Sequence, residues 1–161
     1  SAWVTDLPNS NGRSVPLKYR FLVAMQGALG IGSNLNKFTA EDTALATRMV
    51  AYYKSIRATI QQGALYRLFS PRGGELTANQ YVAEDGRQSV VFAFLHSQQY
   101  GQAPPAIRLR GLDPRAVYRV QVLGSAATQM QSGSYLMSEG LHLRLGGDYD
   151  STAVLLERVS Q

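Results

Sequence analysis

The beginning of the fold is decided by the stretch Ala2-Trp3-Val4-Thr5-Asp6-Leu7-Pro8-Asn9. Its short apolar run ends in polar and turn-forming residues, which is typical of a strand that runs into a loop. Pro16 follows closely, and proline suits the first turn of a helix because its missing N–H costs nothing there. Apolar residues then recur at helical spacing at Leu17, Phe21, Ala24, Met25 and Ala28. The pattern predicts a strand over 2–6 and a helix over about 15–29, with Ser14 as its N-cap.

A second helix has clearer boundaries. Thr39 and Asp42 stand at the two positions of a capping box, and Gly63 falls where a left-handed C-terminal residue is common. The apolar stripe between these ends consists of Leu45, Met49, Tyr52, Tyr53, Ile56 and Ile60. With a weak strand over about 30–35, the order is strand, helix, strand, helix. That order implies parallel strands, but two such units cannot close a barrel.

After Gly63 the chain changes character, and we place a domain boundary there, between 1–63 and 64–161. Short apolar runs now alternate with turn signals such as Asp85-Gly86 and Asp113-Pro114. The predicted strands cover residues 64–70, 79–83, 89–96, 106–112, 116–123, 133–138, 141–145 and 153–159. This rhythm is typical of an antiparallel β-sandwich or jelly roll. The fold class is therefore α+β.

Composition excludes several functions. The 161 residues are 45% hydrophobic and 17% charged, which are globular values, and there is no cysteine for a disulfide or a thiolate ligand. The net charge of +5 comes from scattered arginines, and alternation places Arg108 and Arg110 on a solvated face of a strand. No apolar run reaches the ~18 residues of a membrane helix. We expect neither a nucleic-acid nor a membrane partner.

The first thirty residues carry a family resemblance. Thr5-Asp6-Leu7-Pro8-Asn9, then Arg13-Ser14-Val15-Pro16-Leu17 and the break Gly27-Ala28-Leu29-Gly30, resemble the late catalytic barrel of bacterial α-galactosidases of glycoside hydrolase family 36. The resemblance implies that residues 1–63 are the last two βα units of a TIM-type (β/α)8 barrel. It implies a C-terminal β-sandwich over 64–161. One departure is Ile31-Gly32-Ser33-Asn34-Leu35, where the family often has acidic residues at the eighth strand.

The resemblance also implies a function. The parent enzyme would be a retaining hydrolase of terminal α-galactosides of the melibiose or raffinose type, with two catalytic carboxylates about 5–5.5 Å apart and no cofactor. In the family both are Asp on the fourth and sixth barrel strands, so they would lie upstream of Ser1. We therefore expect a structural fragment that is inactive alone and meets its galactoside through the missing barrel. We also expect a cytoplasmic location and a homo-oligomer, because Phe21, Met25, Met49 and Ile56 would lack barrel neighbours.

Two residues are candidates for substrate contact at the pocket rim. Asp6 and Asn9 follow the first strand, at the end where barrel active sites are built. Each also suits an Asx-turn or a helix cap in an Asp-x-Pro-Asn loop. Trp3 suits a sugar-stacking face or, as is more common for a tryptophan within a strand, the core.

The remaining polar candidates point to no chemistry of their own. His96 and His142 lack metal-ligand neighbours, and Asp148 with Asp150 offers too few ligands for Ca²⁺. The tyrosines at 66, 81, 118 and 135 suit either a sugar-binding platform or ordinary core filling. Two rival functions stay open: a free-standing carbohydrate-binding sandwich with a helical appendage, and an arginine-rich interaction domain.

Overall fold

The structure is a computed structural model that describes residues 2–8, 10, 12–98 and 101–159. Its first part contains strand β1 (Ala2–Val4), helix α1 (Leu17–Ala24), strand β2 (Leu29–Ile31), a 3-10 turn (Leu35–Lys37) and helix α2 (Ala40–Gln62). Its second part contains strands β3 (Ala64–Phe69), β4 (Leu76–Val82), β5 (Gln88–Leu95), β6 (Val117–Val122) and β7 (Gln129–Ser132), helix α3 (Gly133–Ser138) and strand β8 (Ser151–Arg158).

The predicted parallel strands are present but short. β1 and β2 pair in parallel, with Trp3 opposite Gly30. The helix between them is shorter than predicted, because Pro16 is extended and serves as the N-cap in place of Ser14. The chain leaves the helix after Ala24 because the hydroxyl of Tyr53 holds the following turn. That hydroxyl donates to the Gly27 carbonyl at 2.7 Å and accepts from the Leu29 N–H at 3.3 Å.

Helix α2 has the boundaries that its capping signals predict. The Thr39 hydroxyl accepts from the Asp42 N–H at 3.1 Å, and the Asp42 carboxylate accepts from the Thr39 N–H at 3.0 Å. The prediction for Gly63 is wrong, since its φ of −79° and ψ of 175° are extended rather than left-handed. Glycine is required there for space, because a Cβ would lie within 3.0 Å of the Thr59 and Val82 carbonyl oxygens.

The second part is built on an antiparallel sheet of six strands in the order β3-β4-β5-β8-β6-β7. The predicted β4–β5 hairpin is confirmed, with Gly86 at a φ of +70° in its turn. The prediction of a strand over 133–138 is wrong: this segment is α3, which begins where the Ser132 hydroxyl accepts from the Tyr135 N–H. Strand β7, which precedes it, was not predicted.

The predicted second sheet of a sandwich is replaced by a looser layer. Residues 106–112 and 141–145 form no strand, and the structure joins them by one isolated bridge between Ile107 and Leu141. They lie with α3 over one face of the sheet, since Ile107, Leu136 and Leu141 share a core with the sheet residues Val91 and Leu156. The antiparallel sheet and its covered face are therefore as expected, while the opposing layer is irregular.

A buried glutamine fixes this layer to the sheet. Gln80 on β4 is fully buried, and its amide donates to the Arg110 carbonyl and accepts from the Arg110 N–H, both at 2.8 Å. The same amide donates to the Ser89 hydroxyl at 3.1 Å. Buried backbone groups without hydrogen-bond partners are costly. The Gln80 side chain provides partners for the N–H and carbonyl of Arg110, which lies outside any strand. In the same segment Arg108 and Arg110 are exposed at alternate positions, as the sequence pattern predicted.

The other face of the sheet is covered by α1 and α2. Phe21, Met25, Met49 and Ile56 are buried, and they share one core with sheet residues that include Tyr81 and Phe92. The expectation that these four side chains lack cover is therefore wrong, because the sheet provides it. Exposure of these four side chains therefore gives no reason for self-association. A homo-oligomer stays a proposal, and it now depends on the unpaired edges of the two-stranded β1–β2 sheet.

Candidate functional site

The candidate site lies where the chain leaves the two parallel strands. Asp6 is half-buried, and its carboxylate oxygen Oδ1 accepts from the Asn34 N–H at 2.9 Å. Asn34 in turn caps the 3-10 turn, accepting from the Asn36 N–H at 3.1 Å. Asp6 thus links the loop after β1 to the loop after β2. This long-range link differs from the local Asx-turn that the sequence suggested.

Arg20 on α1 fixes the loop that carries Asp6. Its guanidinium donates to the Thr5 carbonyl at 2.6 Å and to the Val15 carbonyl at 3.2 Å. These carbonyls lie at opposite ends of the loop between β1 and α1, so one side chain closes its base. Burial lowers the pKa of Arg20, and the nearby carboxylates of Asp42 and Asp6 oppose that shift. Sequence reasoning missed Arg20, because contacts to backbone carbonyls leave no signal in the spacing of side chains.

A small polar cavity of about 190 Å³ lies beside these residues. Its lining includes Asp6, Arg20, Lys37 and Asp42, together with the apolar side chains of Leu17 and Phe38. The carboxylates accept hydrogen bonds and the basic groups donate them, so both suit contacts with hydroxyl groups. Asn9, the second rim candidate, lies outside the described residues.

The position of Trp3 differs from the one that the sequence predicted. We expected a core residue, but its side chain is 61% exposed. The indole lies over Gly30 of the neighbouring strand, where a Cβ would come within 3.0 Å of the ring. Val4 points the other way and is fully buried under the helices. One face of this parallel pair is therefore covered, and the face that carries Trp3 is open.

The other candidate residues have structural partners or lie in the open. His96 Nε2 hydrogen-bonds the Thr77 hydroxyl, and the Asp150 carboxylate accepts from the Gly146 and Ser151 N–H groups. Tyr81 and Tyr118 are buried in the core, whereas Tyr135 is 39% exposed. In the part of the chain that the structure describes, no three His, Cys, Asp or Glu residues are placed to hold a metal ion. No helix among the described residues is long and apolar enough to cross a bilayer.

Comparison with known proteins identifies the class. The chain is 35% identical over 158 residues to α-galactosidase C of Emericella nidulans, an alignment that covers 98% of this chain and 20% of that protein. The galactosidase domain of the α-galactosidase-sucrose kinase AgaSK superposes with a TM-score of 0.91 at 26% identity, over 98% of this chain and 22% of that one. AgaA, a GH36 α-galactosidase from Geobacillus stearothermophilus, gives 0.90 at 31% identity, with 98% and 22% covered. The chain thus resembles glycoside hydrolases.

A match to the sequence model of a protein family establishes the family of this chain. Residues 76–156 match the glycosyl hydrolase family 36 C-terminal domain, and the chain belongs to this family. It spans about a fifth of the length of the curated relatives it matches. The expectation of a bacterial enzyme is not supported, because these relatives are fungal as well as bacterial.

Proposed function

We propose that this chain is the C-terminal part of a retaining α-galactosidase that hydrolyses terminal α-galactosides of the melibiose or raffinose type. In this proposal residues 1–63 are the last two βα units of the catalytic barrel, and residues 64–161 are the C-terminal domain. The chain supplies structure and part of the pocket rim. It is inactive alone, because the two carboxylates of the retaining mechanism are expected on strands upstream of Ser1.

The observation that carries the proposal is the half-covered parallel pair. Parallel sheets are almost always buried on both faces. In this structure α1 and α2 cover the Val4 face of β1, while Trp3 on the opposite face is 61% exposed. A helix layer outside and an open face inside is the arrangement of a barrel wall. The superposition on α-galactosidases over 98% of the chain supports the same interpretation.

Within this proposal Asp6 and Asn9 contribute to the rim of the galactoside pocket. Both follow β1 at its carboxyl end, where barrel enzymes build their sites. The carboxylate of Asp6 also links two adjacent loops through the Asn34 N–H. Arg20 is the positioning residue of the rim, because it holds both ends of the Asp6 loop.

A chimera tests the proposal. In AgaA from Geobacillus stearothermophilus, whose variants have been solved with raffinose and stachyose, the matched segment is replaced by residues 1–161. We expect the chimera to hydrolyse a chromogenic α-galactoside, and the isolated chain to give no turnover above buffer. The matched negative control is the chimera with Val4→Asp, which places a charge in the fully buried core beneath β1.

The outcomes separate the proposal from its rivals. An active chimera, with the Val4→Asp control inactive, supports a barrel role for residues 1–63. A monodisperse, cooperatively folded chimera that lacks all activity would contradict it and favour a free-standing binding module. Turnover by the isolated chain that persists through repurification would also contradict it, because it would require a catalytic pair within these residues.

A further inference from the structure

A second cavity lies on the opposite face of the sheet from α1 and α2. Its volume is about 300 Å³, at the lower end of the ~300–1,000 Å³ range of small-molecule sites. Its floor is apolar and includes Val120, Leu136, Leu141 and Val154, which belong to the core on that face. The floor of the cavity is therefore formed by core residues of the domain.

The rim of this cavity carries planar polar side chains without partners. Gln129 and Gln131 lie two residues apart on the edge strand β7, beside Val120 and Tyr118 of β6, and so project to one face of the sheet. His142 follows the isolated bridge at Leu141. Within the described part of the chain, the side chains of Gln129, Gln131 and His142 make no hydrogen bond to the protein. Their donors and acceptors are available to a ligand.

Tyr135 completes the rim with an aromatic ring. Of the four tyrosines at 66, 81, 118 and 135, it is the one that the structure leaves more than a third exposed, at 39%. Its position is fixed by α3, where its N–H donates to the Ser132 hydroxyl at 3.1 Å. An aromatic ring offers an apolar face to the C–H groups of a sugar ring, and its hydroxyl offers a further hydrogen bond.

The charge of the lining decides the class of ligand. The lining contains no Asp, Glu, Lys or Arg, although the chain carries 27 such residues in all. Phosphates, acidic peptides and nucleic acids are recognised largely through arginine and lysine, so they do not fit this surface. Uncharged amides, an imidazole, a phenol and an apolar floor instead match a neutral ring that has hydroxyls on its edge and C–H groups on its face.

We propose that this cavity binds a neutral saccharide of one or two rings. Tyr135 contacts the face of the sugar, and Gln129, Gln131 and His142 hydrogen-bond its hydroxyls. The site is formed entirely by residues 120–154 and is open to solvent. Its affinity is in the millimolar range, because a shallow, wet cavity recovers only part of the cost of ordering side chains and ligand.

The experiment is a titration of the ¹⁵N-labelled 161-residue chain with raffinose, followed by amide chemical shifts. We expect saturable shifts confined to residues 129–131, 135 and 140–143. Tyr135→Ala and Gln131→Leu should each weaken binding by about tenfold or more, which corresponds to about 1.4 kcal/mol. Met130→Ala is the matched control, since Met130 lies between the two glutamines, points to the other face and is 55% exposed. It should change the dissociation constant less than about twofold.

Three results would overturn the proposal. The first is the absence of saturable shifts at this cavity in a chain whose spectrum is that of a folded protein. The second is an equal response to cyclohexanol, which matches the apolar face of a sugar but lacks its array of hydroxyls. The third is unchanged binding in a folded Tyr135→Ala variant. Binding that Tyr135→Ala and Gln131→Leu each weaken by about tenfold or more, while Met130→Ala preserves it, supports the site.

Discussion

Phe21→Ala tests whether the first part of the chain and the sheet share one core. Phe21 lies on α1, is fully buried, and belongs to a cluster that includes Tyr81 and Phe92 of the sheet. Truncation of a buried phenylalanine to alanine costs about 3–5 kcal/mol, because apolar contacts are lost and a cavity remains. Against a typical free energy of unfolding of about 5–15 kcal/mol, this loss is about a fifth or more of the total.

Urea unfolding provides the assay, with two signals from different parts of the chain. Fluorescence reports the surroundings of the single tryptophan, Trp3 on β1, and circular dichroism reports the sheet and α2. With a denaturant slope of about 2 kcal/mol/M, both midpoints should fall together by about 1.5–2.5 M. Val23→Ala is the matched control on the same helix, since Val23 is 44% exposed. It should shift the midpoints by less than about 0.5 M.

The urea unfolding of Phe21→Ala can also contradict the shared core. If only the Trp3 signal moves, while the dichroism transition keeps its midpoint, the first part unfolds separately from the sheet. If neither transition moves by more than the Val23→Ala control, Phe21 is not in the core. Either result would reject the shared core between the helices and the sheet.

Three further substitutions test single contacts in the same urea assay. Gln80→Leu removes the three hydrogen bonds of this amide and leaves the N–H and carbonyl of Arg110 unpaired, so we expect a loss of about 2–4 kcal/mol. Gly63→Ala forces a Cβ against the Val82 carbonyl oxygen and should cost about 1–3 kcal/mol. Tyr52→Phe should raise the free energy of unfolding by about 1 kcal/mol, because the Tyr52 hydroxyl is the one buried side-chain polar atom without a partner among the described residues. Burial also raises the pKa of Tyr52 above the ordinary value of 10.0. The unfolded chain therefore loses this proton at a lower pH than the folded chain, and the free energy of unfolding falls as the pH rises above about 10. Tyr52→Phe should make this alkaline decline shallower.

Two of these substitutions, Gly63→Ala and Tyr52→Phe, have a matched control in the chain. Gly74→Ala meets no atom within 4 Å and should be neutral, so an equal loss would remove the steric explanation for Gly63. Tyr53→Phe should destabilise, because that hydroxyl bonds Gly27, Leu29 and Gln61. A stabilising Tyr53→Phe, or a Tyr52→Phe variant with an unchanged alkaline limb, would contradict the assignment of partners. A Gln80→Leu variant as stable as the wild type would show that Arg110 finds other partners.

Sequence signals predicted those elements whose determinants are local. The capping box of Thr39 and Asp42 gave the start of α2, and Asp85-Gly86 gave the β4–β5 hairpin. The segment 133–138 was predicted as a strand because three apolar residues stand together in it. The Ser132 hydroxyl, which accepts from the Tyr135 N–H, favours a helix instead. A glycine was expected at position 63 for a left-handed backbone, but it is required there because the carbonyl oxygens of Thr59 on α2 and Val82 on β4 leave no space for a Cβ.

The site was predicted less completely because its connections are long-range. Asp6 was identified from its place after a strand, but its link to Asn34 depends on the parallel pairing of β1 with β2. Arg20 was missed because both of its acceptors are backbone carbonyls. Trp3 was expected in the core, since a tryptophan within a strand is commonly buried. Its exposure depends on which face of the pair the helices cover, and that is a property of the tertiary structure.

Thiol labelling at position 3 tests the barrel interpretation most directly. The chain has no cysteine, so Trp3→Cys and, as a buried control, Val4→Cys each introduce a single thiol. Iodoacetamide labelling is followed by peptide mass spectrometry in the isolated chain and in an active AgaA chimera. We predict fast labelling of Trp3→Cys in the isolated chain, strong protection in the chimera, and slow labelling of Val4→Cys in both. Equally fast labelling of Trp3→Cys in the chimera would contradict the claim that β1 and β2 are part of a closed barrel.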